Sequence, residues 1–190
     1  MDDAIVSSCK AVFLDRDGVI NRVIFRGSRK PIAPWTVNEF TFEADINIPL
    51  NEIKNMGYYL FVVTNQPDLS KGLVSPEMMK LFHKKILNRF PIDEISICSH
   101  TNEHNCLCRK PKPGMILDLA KKYNIDLKSS YMVGDTWKDI SAGSAAGCRT
   151  VLIKKPYNTE VRAEIIIDQL GDLIPVIKNE VKKVNSNEVC

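Results

Sequence analysis

The stretch KAVFLDRDGVIN, residues 10–21, decides the fold. After its first lysine it is apolar as far as Leu14, which is typical of a short strand buried on both faces of a parallel sheet. Asp15 and Asp17 follow the apolar run directly, and Gly18 allows the chain to turn sharply after them. The stretch therefore predicts a central strand whose carboxyl end carries two acidic side chains.

Similar apolar runs recur along the chain and alternate with segments of helical periodicity. Ser75 is a natural N-cap and Pro76 suits the first turn of the helix that follows. The alternation predicts an α/β fold, with one doubly wound, mainly parallel sheet covered by helices on both faces and a single domain over residues 1–190. The predicted strands are 10–15, 59–64, 94–99, 131–134, 150–153 and 164–167, and the predicted helices are 46–56, 76–90, 113–123 and 137–146.

Composition excludes several classes of protein. The net charge of the 190 residues is only +3, too small to indicate a nucleic-acid or membrane-surface partner. No apolar run approaches the roughly 18–20 residues that span a bilayer. The N-terminus, Met1-Asp2-Asp3, lacks the apolar region of a signal peptide. We therefore expect a cytoplasmic, monomeric protein that acts on a small molecule and binds neither nucleic acid nor membrane.

Polar side chains cluster at the predicted strand ends. Asp15 and Asp17 follow the first strand, Thr64 and Asn65 end the second, and Asp135 follows the fourth. Because ligands of such sheets bind beyond the carboxyl ends of the strands, we expect these side chains to share one site. This convergence is stronger evidence than any single motif, since a lone Asp-x-Asp is common in surface loops.

The acidic residues suggest a division of labour. Asp15 can act as nucleophile and metal ligand, while Asp17 can act as an acid on a leaving-group oxygen. Asp15 and Asp135 together offer the oxygen ligands that Mg²⁺ prefers. Taken alone, Asp135 could equally be an acidic residue that caps the helix after it.

Two further segments could bind an anion. Thr64, Asn65 and Gln66 offer a hydroxyl and backbone amides that can hold phosphate oxygens, although a simple turn would have the same sequence. Lys110 lies in a segment stiffened by prolines at positions 111 and 113, which suits a lysine presented to an anion. A solvated basic turn is the alternative reading of that segment.

A cysteine–histidine cluster predicts a second metal. Cys98, His100, Cys106 and Cys108 lie within eleven residues, and three thiolates with one imidazole suit tetrahedral zinc. Four protein ligands close the coordination sphere, so this zinc should be structural. His104 is a competing imidazole, and chance clustering or a redox role are the alternatives. We expect the isolated Cys9, Cys148 and Cys190 to be free thiols, and we treat His83 as an ordinary surface residue.

The order of these motifs resembles the haloacid dehalogenase-like superfamily of phosphatases. The resemblance implies that Asp15 attacks phosphorus, and that Asp17 protonates the leaving alcohol and then activates water against the aspartyl-phosphate. It also implies Mg²⁺ held by Asp15, the Asp17 carbonyl and Asp135, with Thr64 and Lys110 stabilising the transferring phosphoryl group. The matching motifs are Asp15–Val19, Thr64-Asn65, Lys110, and Gly134-Asp135 with Asp139.

The zinc-loop sequence narrows this resemblance to subfamily IIIA. Residues 98–108 followed by Arg109-Lys110-Pro111 are similar to the D-glycero-D-manno-heptose 1,7-bisphosphate 7-phosphatase family and to its relative, the histidinol-phosphatase domain. The resemblance implies a zinc-binding loop, no large cap domain, and Arg109 as a substrate-binding residue together with Asn65 and Gln66. Histidinol phosphate is the alternative substrate. A catalytically dead binding protein is the non-enzymatic alternative, against which the complete set of catalytic residues speaks.

Some positions depart from the heptose-phosphatase pattern. Pro67 follows Gln66 where a small polar residue is usual, and Thr136 follows Asp135 where a lysine often stands. Residues 22–42 also form a longer segment than the resemblance leads us to expect. Without a cap, substrate selectivity should come from residues 22–42, the zinc loop and residues 66–74.

Overall fold

A computed structural model describes residues 8–27 and 30–187, so the expectations for Met1-Asp2-Asp3 and Cys190 lie outside the described residues. Six strands form one sheet in the order β3-β2-β1-β4-β5-β6, and every neighbouring pair is parallel. The prediction of a doubly wound parallel sheet is confirmed. The strands are β1 (Lys10–Leu14), β2 (Tyr58–Asn65), β3 (Glu94–Cys98), β4 (Tyr131–Gly134), β5 (Arg149–Ile153) and β6 (Ile165–Ile167).

The helices agree with the predicted ones to within about two residues at each end, and two more are present. The Ser75 hydroxyl accepts a hydrogen bond from the amide of Met78 at 3.1 Å, as its N-cap role predicts. The sequence analysis did not identify the short α2 or the terminal α6. The helices are α1 (Asn47–Asn55), α2 (Pro67–Ser70), α3 (Pro76–Arg89), α4 (Gly114–Tyr123), α5 (Trp137–Ala146) and α6 (Leu173–Asn187).

Alternate residues of the central strand enter two separate hydrophobic cores. Val12 and Leu14 pack with α1, α3 and α6, whereas Ala11 and Phe13 pack with α4 and α5. This division follows from the pleat, which points successive side chains to opposite faces of the sheet. All four residues are fully buried, which explains why the strand reads as a continuous apolar run.

The strand order reverses direction between β1 and β4. The chain moves outward from β1 through β2 to β3, then returns to the other side of β1 with β4. The loops after β1 and β4 therefore diverge and leave a crevice at the carboxyl edge, where ligands bind in sheets of this kind. Asp15 and Asp135 are the first residues after these two strands.

The connection from β1 to α1 covers part of this edge without forming a second domain among the described residues. Two isolated antiparallel pairs brace it, Asn21 with Phe42 and Ile24 with Ile32. The indole Nε1 of Trp35 donates to Asp68 Oδ2 at 2.9 Å, which joins this connection to α2. None of the helices in the described part of the chain is long and apolar enough to cross a membrane.

Candidate active site

Asp15 occupies the end of β1 and is almost completely buried. Its Oδ1 accepts a hydrogen bond from the Arg16 amide at 2.7 Å and lies 2.8 Å from Lys110 Nζ. Burial raises the pKa of Asp15 to about 7, and the nearby Asp139 adds to the rise, while Lys110 opposes it. The side chain is therefore a buried acid whose charge depends on cations beside it.

Lys110 supplies one such cation. Its ammonium group lies 2.6 Å from Asp139 Oδ1 and donates to the Val63 carbonyl at 2.7 Å, in addition to its contact with Asp15. Burial disfavours the charged form, but Asp139 and Asp15 outweigh it and raise the pKa of Lys110. The lysine predicted to face an anion therefore lies inside the site as a permanent positive charge between two carboxylates.

The Asn65 side chain fixes the backbone at Lys110. Its Oδ1 accepts from the Lys110 amide at 3.0 Å and its Nδ2 donates to the Lys110 carbonyl at 2.9 Å. This paired contact joins the end of β2 to the segment that follows the zinc loop. Asn65 also lines the cavity, so the predicted substrate contact stays a prediction beside an observed positioning contact.

Asp139 is held by partners on both oxygens. Oδ2 accepts from the amide and hydroxyl of Thr136, at 2.9 and 2.6 Å, and Oδ1 pairs with Lys110. Gly134 makes this approach possible, because a Cβ built there would lie only 2.1 Å from the Asp139 Cβ. Asp139 therefore orients Lys110 from the first turn of α5.

Asp135 is different, because one of its oxygens has no partner. Oδ2 accepts a hydrogen bond from the Tyr157 hydroxyl at 2.5 Å, whereas the buried Oδ1 has no hydrogen-bond partner among the described residues. Burial, followed by repulsion from Asp15 and Asp139, raises the pKa of Asp135 well above its ordinary value. A buried oxygen with no donor, next to two other carboxylates, is a ready ligand for a cation.

Gly18 brings the first motif against this carboxylate. Its φ is +90°, and a Cβ built there would lie 2.1 Å from Asp135 Oδ2. Asp135 is buried and tied to Tyr157, so the carboxylate has little room to move away. Glycine is therefore required here for both conformation and space.

Asp17 is surrounded by hydrogen-bond donors. Arg16 contacts both of its oxygens, at 3.0 and 3.1 Å from one guanidinium nitrogen. Asn21 Nδ2 donates to Oδ1 at 2.9 Å and Gln66 Nε2 donates to Oδ2 at 2.7 Å. These three side chains therefore fix the orientation of the Asp17 carboxyl group.

Thr64 and Gln66 are almost completely buried and are not among the residues that line the cavity. The Gln66 amide nitrogen donates to the Thr64 hydroxyl at 2.8 Å as well as to Asp17. Gln66 therefore contacts Thr64 and Asp17, and its hydrogen bond to Asp17 helps to orient that carboxyl group. The predicted phosphate and substrate contacts of these two residues stay predictions.

A cavity of about 300 Å³ opens above the acidic residues. Two of the three segments predicted to govern selectivity contribute to its wall, with Ile32 from residues 22–42 and Lys71 from residues 66–74. The zinc loop, residues 98–108, contributes no lining residue, but Arg109, which follows it directly, does. Lys138, at the start of α5, lines the same cavity. Lysine and arginine side chains therefore lie around the mouth, and buried carboxylates lie at its base.

Arg109 is anchored without being neutralised. Its Nε donates to Asn102 Oδ1 and its NH1 to the His100 carbonyl, both at 2.9 Å.

Lys138 makes no ion pair with the described residues. Burial lowers the pKa of Lys138, and repulsion by Arg109 lowers it further, so the two cations lie close enough to repel each other.

The structure brings the four predicted zinc ligands together. Cys98 Sγ lies 3.6 Å from Cys106 Sγ and 3.3 Å from Cys108 Sγ. The Sγ atoms of Cys106 and Cys108 are 3.4 Å apart. His100 Nδ1 lies 3.7 Å from Cys98 Sγ and 3.4 Å from Cys108 Sγ. These separations exceed any disulfide bond, and the described cysteines are free thiols.

The other two histidines have different surroundings. His104 is exposed, and its Nδ1 contacts the Thr101 hydroxyl at 2.9 Å, outside the four-ligand group. The prediction that His83 is an ordinary surface residue is wrong. His83 is partly buried, and its Nε2 has no hydrogen-bond partner in the described chain. Burial lowers its pKa to about 4, and the charge of Arg16 adds to the effect.

Sequence reasoning did not assign roles to Arg16, Lys138 or Tyr157. Arg16 is fully buried, with its guanidinium 5.9 and 5.8 Å from the rings of Phe40 and Phe82. Its position between the two aspartates of the first motif was a usable signal. Tyr157 lies in the connection from β5 to β6, where the sequence shows no motif, so only the fold reveals its contact with Asp135.

Comparison with known proteins agrees with this site. A family model described as HAD-hydrolase-like matches residues 107–173. A D-glycero-beta-D-manno-heptose-1,7-bisphosphate 7-phosphatase of Helicobacter pylori strain J99 is 36% identical and aligns with 81% of this chain and 89% of its own. A D-glycero-alpha-D-manno-heptose-1,7-bisphosphate 7-phosphatase of Photorhabdus laumondii is 34% identical, with 82% and 88% covered.

A solved structure shows the same architecture. The D,D-heptose 1,7-bisphosphate phosphatase of B. bronchiseptica, complexed with magnesium and phosphate, superposes with a TM-score of 0.78 at 25% identity. The alignment covers 90% of this chain and 99% of that one. The two chains therefore share this fold over nearly their whole length.

Proposed function

The chain belongs to the D-glycero-D-manno-heptose-1,7-bisphosphate 7-phosphatase family, and we propose from that premise that it hydrolyses a heptose bisphosphate through an aspartyl-phosphate. The observation that supports the chemistry most directly is Lys110 Nζ, buried between Asp15 and Asp139 at 2.8 and 2.6 Å. This arrangement sets a fixed positive charge beside the nucleophile, as phosphoryl transfer requires.

The proposed reaction has two steps, formation of the aspartyl-phosphate and its hydrolysis. A carboxylate oxygen of Asp15 attacks phosphorus as the ester P–O bond breaks, and the departing alkoxide takes a proton from Asp17. A water molecule next attacks the phosphoryl group, gives its proton to Asp17, and releases inorganic phosphate from Asp15. Arg16, Asn21 and Gln66 hold the Asp17 carboxyl group in place for both steps.

The acidic residues fit a magnesium ion. Asp15, Asp135 and Asp139 each place a carboxylate oxygen within 4.8 Å of the others. Asp139 Oδ1 accepts no hydrogen bond but is ion-paired with Lys110 at 2.6 Å, whereas Asp135 Oδ1 has neither kind of partner among the described residues. We therefore propose Asp15 and Asp135 as the side-chain ligands, with the Asp17 carbonyl as the third. When bound, Mg²⁺ neutralises negative charge that develops on the phosphoryl oxygens.

The cysteine–histidine cluster fits a structural zinc ion. Ligands about 2.0–2.3 Å from a tetrahedral zinc lie roughly 3.3–3.8 Å from one another, and the separations here are 3.3–3.7 Å. We propose Cys98, His100, Cys106 and Cys108 as its ligands. The Arg109 side chain contacts Asn102 and the His100 carbonyl. A loop stabilised by zinc would therefore also hold the Arg109 guanidinium in place.

The cationic mouth supports a substrate with a second phosphate. Arg109 and Lys138 repel each other across the cavity wall, and Lys71 lies nearby with a 3.6 Å pairing to Asp68. A dianion bound between these groups would relieve the repulsion and accept hydrogen bonds from a guanidinium fork. Histidinol phosphate, whose other end is an amine, is disfavoured by the same charges. Relatives act on either anomer, so both anomers must be assayed.

Three further proposals concern the protein as a whole. We propose that residues 1–190 form a single domain, because the described residues build one sheet with a core on each face. The monomeric state stays a proposal from the sequence alone. A cytoplasmic location is supported by the free thiols of the zinc-type cluster, which a reducing compartment preserves.

The test is a phosphate-release assay on both anomers of the heptose bisphosphate, the corresponding monophosphate, histidinol phosphate and p-nitrophenyl phosphate. We expect a bisphosphate to give the highest kcat/KM, and Asp15→Asn to abolish turnover of every substrate. Arg109→Ala should lower kcat/KM for the bisphosphate by roughly 10- to 150-fold, the loss of one charge-assisted contact. Loss on p-nitrophenyl phosphate should be much smaller.

Arg89→Ala removes an exposed arginine that does not line the cavity, and it serves as the matched control. A preference of the unmodified protein for histidinol phosphate would reject the bisphosphate assignment. Substantial turnover by Asp15→Asn would reject the covalent mechanism itself. Equal losses on both substrates in Arg109→Ala would show that Arg109 serves the chemistry or the fold.

A further inference from the structure

Tyr157 contacts the catalytic edge from a connection that carries no recognised motif. Its hydroxyl donates to Asp135 Oδ2 at 2.5 Å, and its ring packs edge-on against Phe25 with centroids 6.0 Å apart. The next residue, Asn158, is buried and donates to the backbone carbonyls of Asp135 and Ile153, at 2.7 and 2.9 Å. The turn that contains Tyr157 is therefore attached to the ends of both β4 and β5.

The two oxygens of Asp135 are thus made unequal. Oδ2 is occupied by Tyr157 and lies against the Gly18 backbone, where a Cβ would approach it to 2.1 Å. Oδ1 is buried and has no hydrogen-bond partner among the described residues. Only Oδ1 is available to a cation in this arrangement.

This asymmetry has a consequence for metal choice. Mg²⁺ is small, requires near-octahedral geometry and is usually bound through single carboxylate oxygens with several waters. Ca²⁺ is larger, takes more oxygen ligands and readily accepts both oxygens of one carboxylate. A carboxylate with one oxygen already hydrogen-bonded leaves a single oxygen for the cation. This suits Mg²⁺, whereas Ca²⁺ loses the contact with both oxygens of the carboxylate.

We propose that Tyr157 is a positioning residue that restricts Asp135 to a single-oxygen contact with the catalytic cation and so favours Mg²⁺ over Ca²⁺. The inference rests on the proposed magnesium site. It goes beyond that site because it assigns metal selectivity to a hydroxyl that is not one of the proposed ligands. Outer hydrogen-bond partners of metal ligands commonly change metal affinity by about 10–100-fold when removed.

The experiment measures metal binding directly, without turnover. Free Mn²⁺ is followed by electron paramagnetic resonance as the protein is titrated, and Mg²⁺ or Ca²⁺ is then added to displace it. Tyr157→Phe keeps the ring and its contact with Phe25 while removing the hydroxyl. Tyr123→Phe is the matched control, because its hydroxyl donates to a different carboxylate, Glu94 Oε2, at 2.7 Å.

We expect Tyr157→Phe to bind Mg²⁺ at least threefold more weakly and to raise the ratio of Ca²⁺ to Mg²⁺ affinity, while Tyr123→Phe changes neither. An unchanged ratio in Tyr157→Phe would overturn the inference, whatever happens to its melting temperature. Asp135→Asn separates this outcome from failure of the proposed site, since it should abolish Mn²⁺ binding. If the unmodified protein binds no Mn²⁺, the magnesium site and the inference are both rejected.

Discussion

Replacement of Lys110 by methionine tests how the catalytic residues are held together. Methionine keeps most of the apolar stem and removes the ammonium group, which contacts Asp15, Asp139 and the Val63 carbonyl at 2.8, 2.6 and 2.7 Å. The side chain is only 2% exposed, so water cannot replace the lost donors. Without the ammonium, buried carboxylates would face one another unneutralised.

The expected cost follows from this burial. Removing one partner of a buried ion pair typically destabilises a protein by about 3–5 kcal/mol, because the remaining charge stays buried without compensation. We expect a loss of that size in the free energy of unfolding, measured by urea denaturation in EDTA. Addition of Mg²⁺ should reduce the loss, since the cation would neutralise part of the same charge. Turnover should be abolished.

Two further variants make the measurement decisive. Lys110→Met combined with Asp139→Asn should lose less than the sum of the two single variants, because the double change also removes a buried negative charge. Lys54→Met breaks a surface pair of similar length, 2.6 Å to Asp93, and should cost less than about 1 kcal/mol. If Lys110→Met costs no more than Lys54→Met, the account of the buried cluster is refuted.

The remaining predictions concern the zinc loop and a buried histidine. Cys106→Ser should lower the zinc content and the melting temperature together, as measured by metal analysis and calorimetry, and one zinc per chain with normal melting would contradict the ligand assignment. The folded-state pKa of His83, about 4, lies below the ordinary value of 6.5, so the folded protein binds fewer protons than the unfolded chain and loses stability as pH falls from 6.5 towards 4. His83→Gln should make this fall shallower by up to about 1.4 kcal/mol per pH unit in urea denaturation, and identical pH profiles would show that His83 contributes nothing.

The sequence predicted the fold well because the strands can be identified as short apolar runs. Strands buried on both faces are continuous apolar runs, and β1 ends in two aspartates that mark the carboxyl edge. The four residues that we propose as zinc ligands could also be identified from the sequence, since they lie close together along the chain. The helix α6 was not predicted, although its Leu173 and Ile177 are fully buried and Asp172, a favoured residue before a helix, directly precedes it.

Contacts between distant segments could not be read in the same way. Tyr157 contacts Asp135 only because the connection from β5 folds back over the end of β4. Lys110 was expected to face an anion, and its role in phosphoryl transfer stays a prediction, but the sequence could not show that its ammonium group is buried between Asp15 and Asp139. The same holds for His83, whose mid-helix position gives no hint of the buried Arg16 beside it. These outcomes depend on tertiary packing, which periodicity does not encode.

The hydrogen bond from Trp35 to Asp68 has a consequence for how molecules reach the site. It ties the connection before α1 to α2, and both segments contribute to the cavity wall. Arg26 stacks on the Trp35 ring at 3.8 Å and also pairs with Glu39, which accepts the Trp35 amide at 2.8 Å. The entrance thus has a constant outline. For the proposed phosphatase, we expect substrate size to be selected at this entrance and product to leave without a hinge motion.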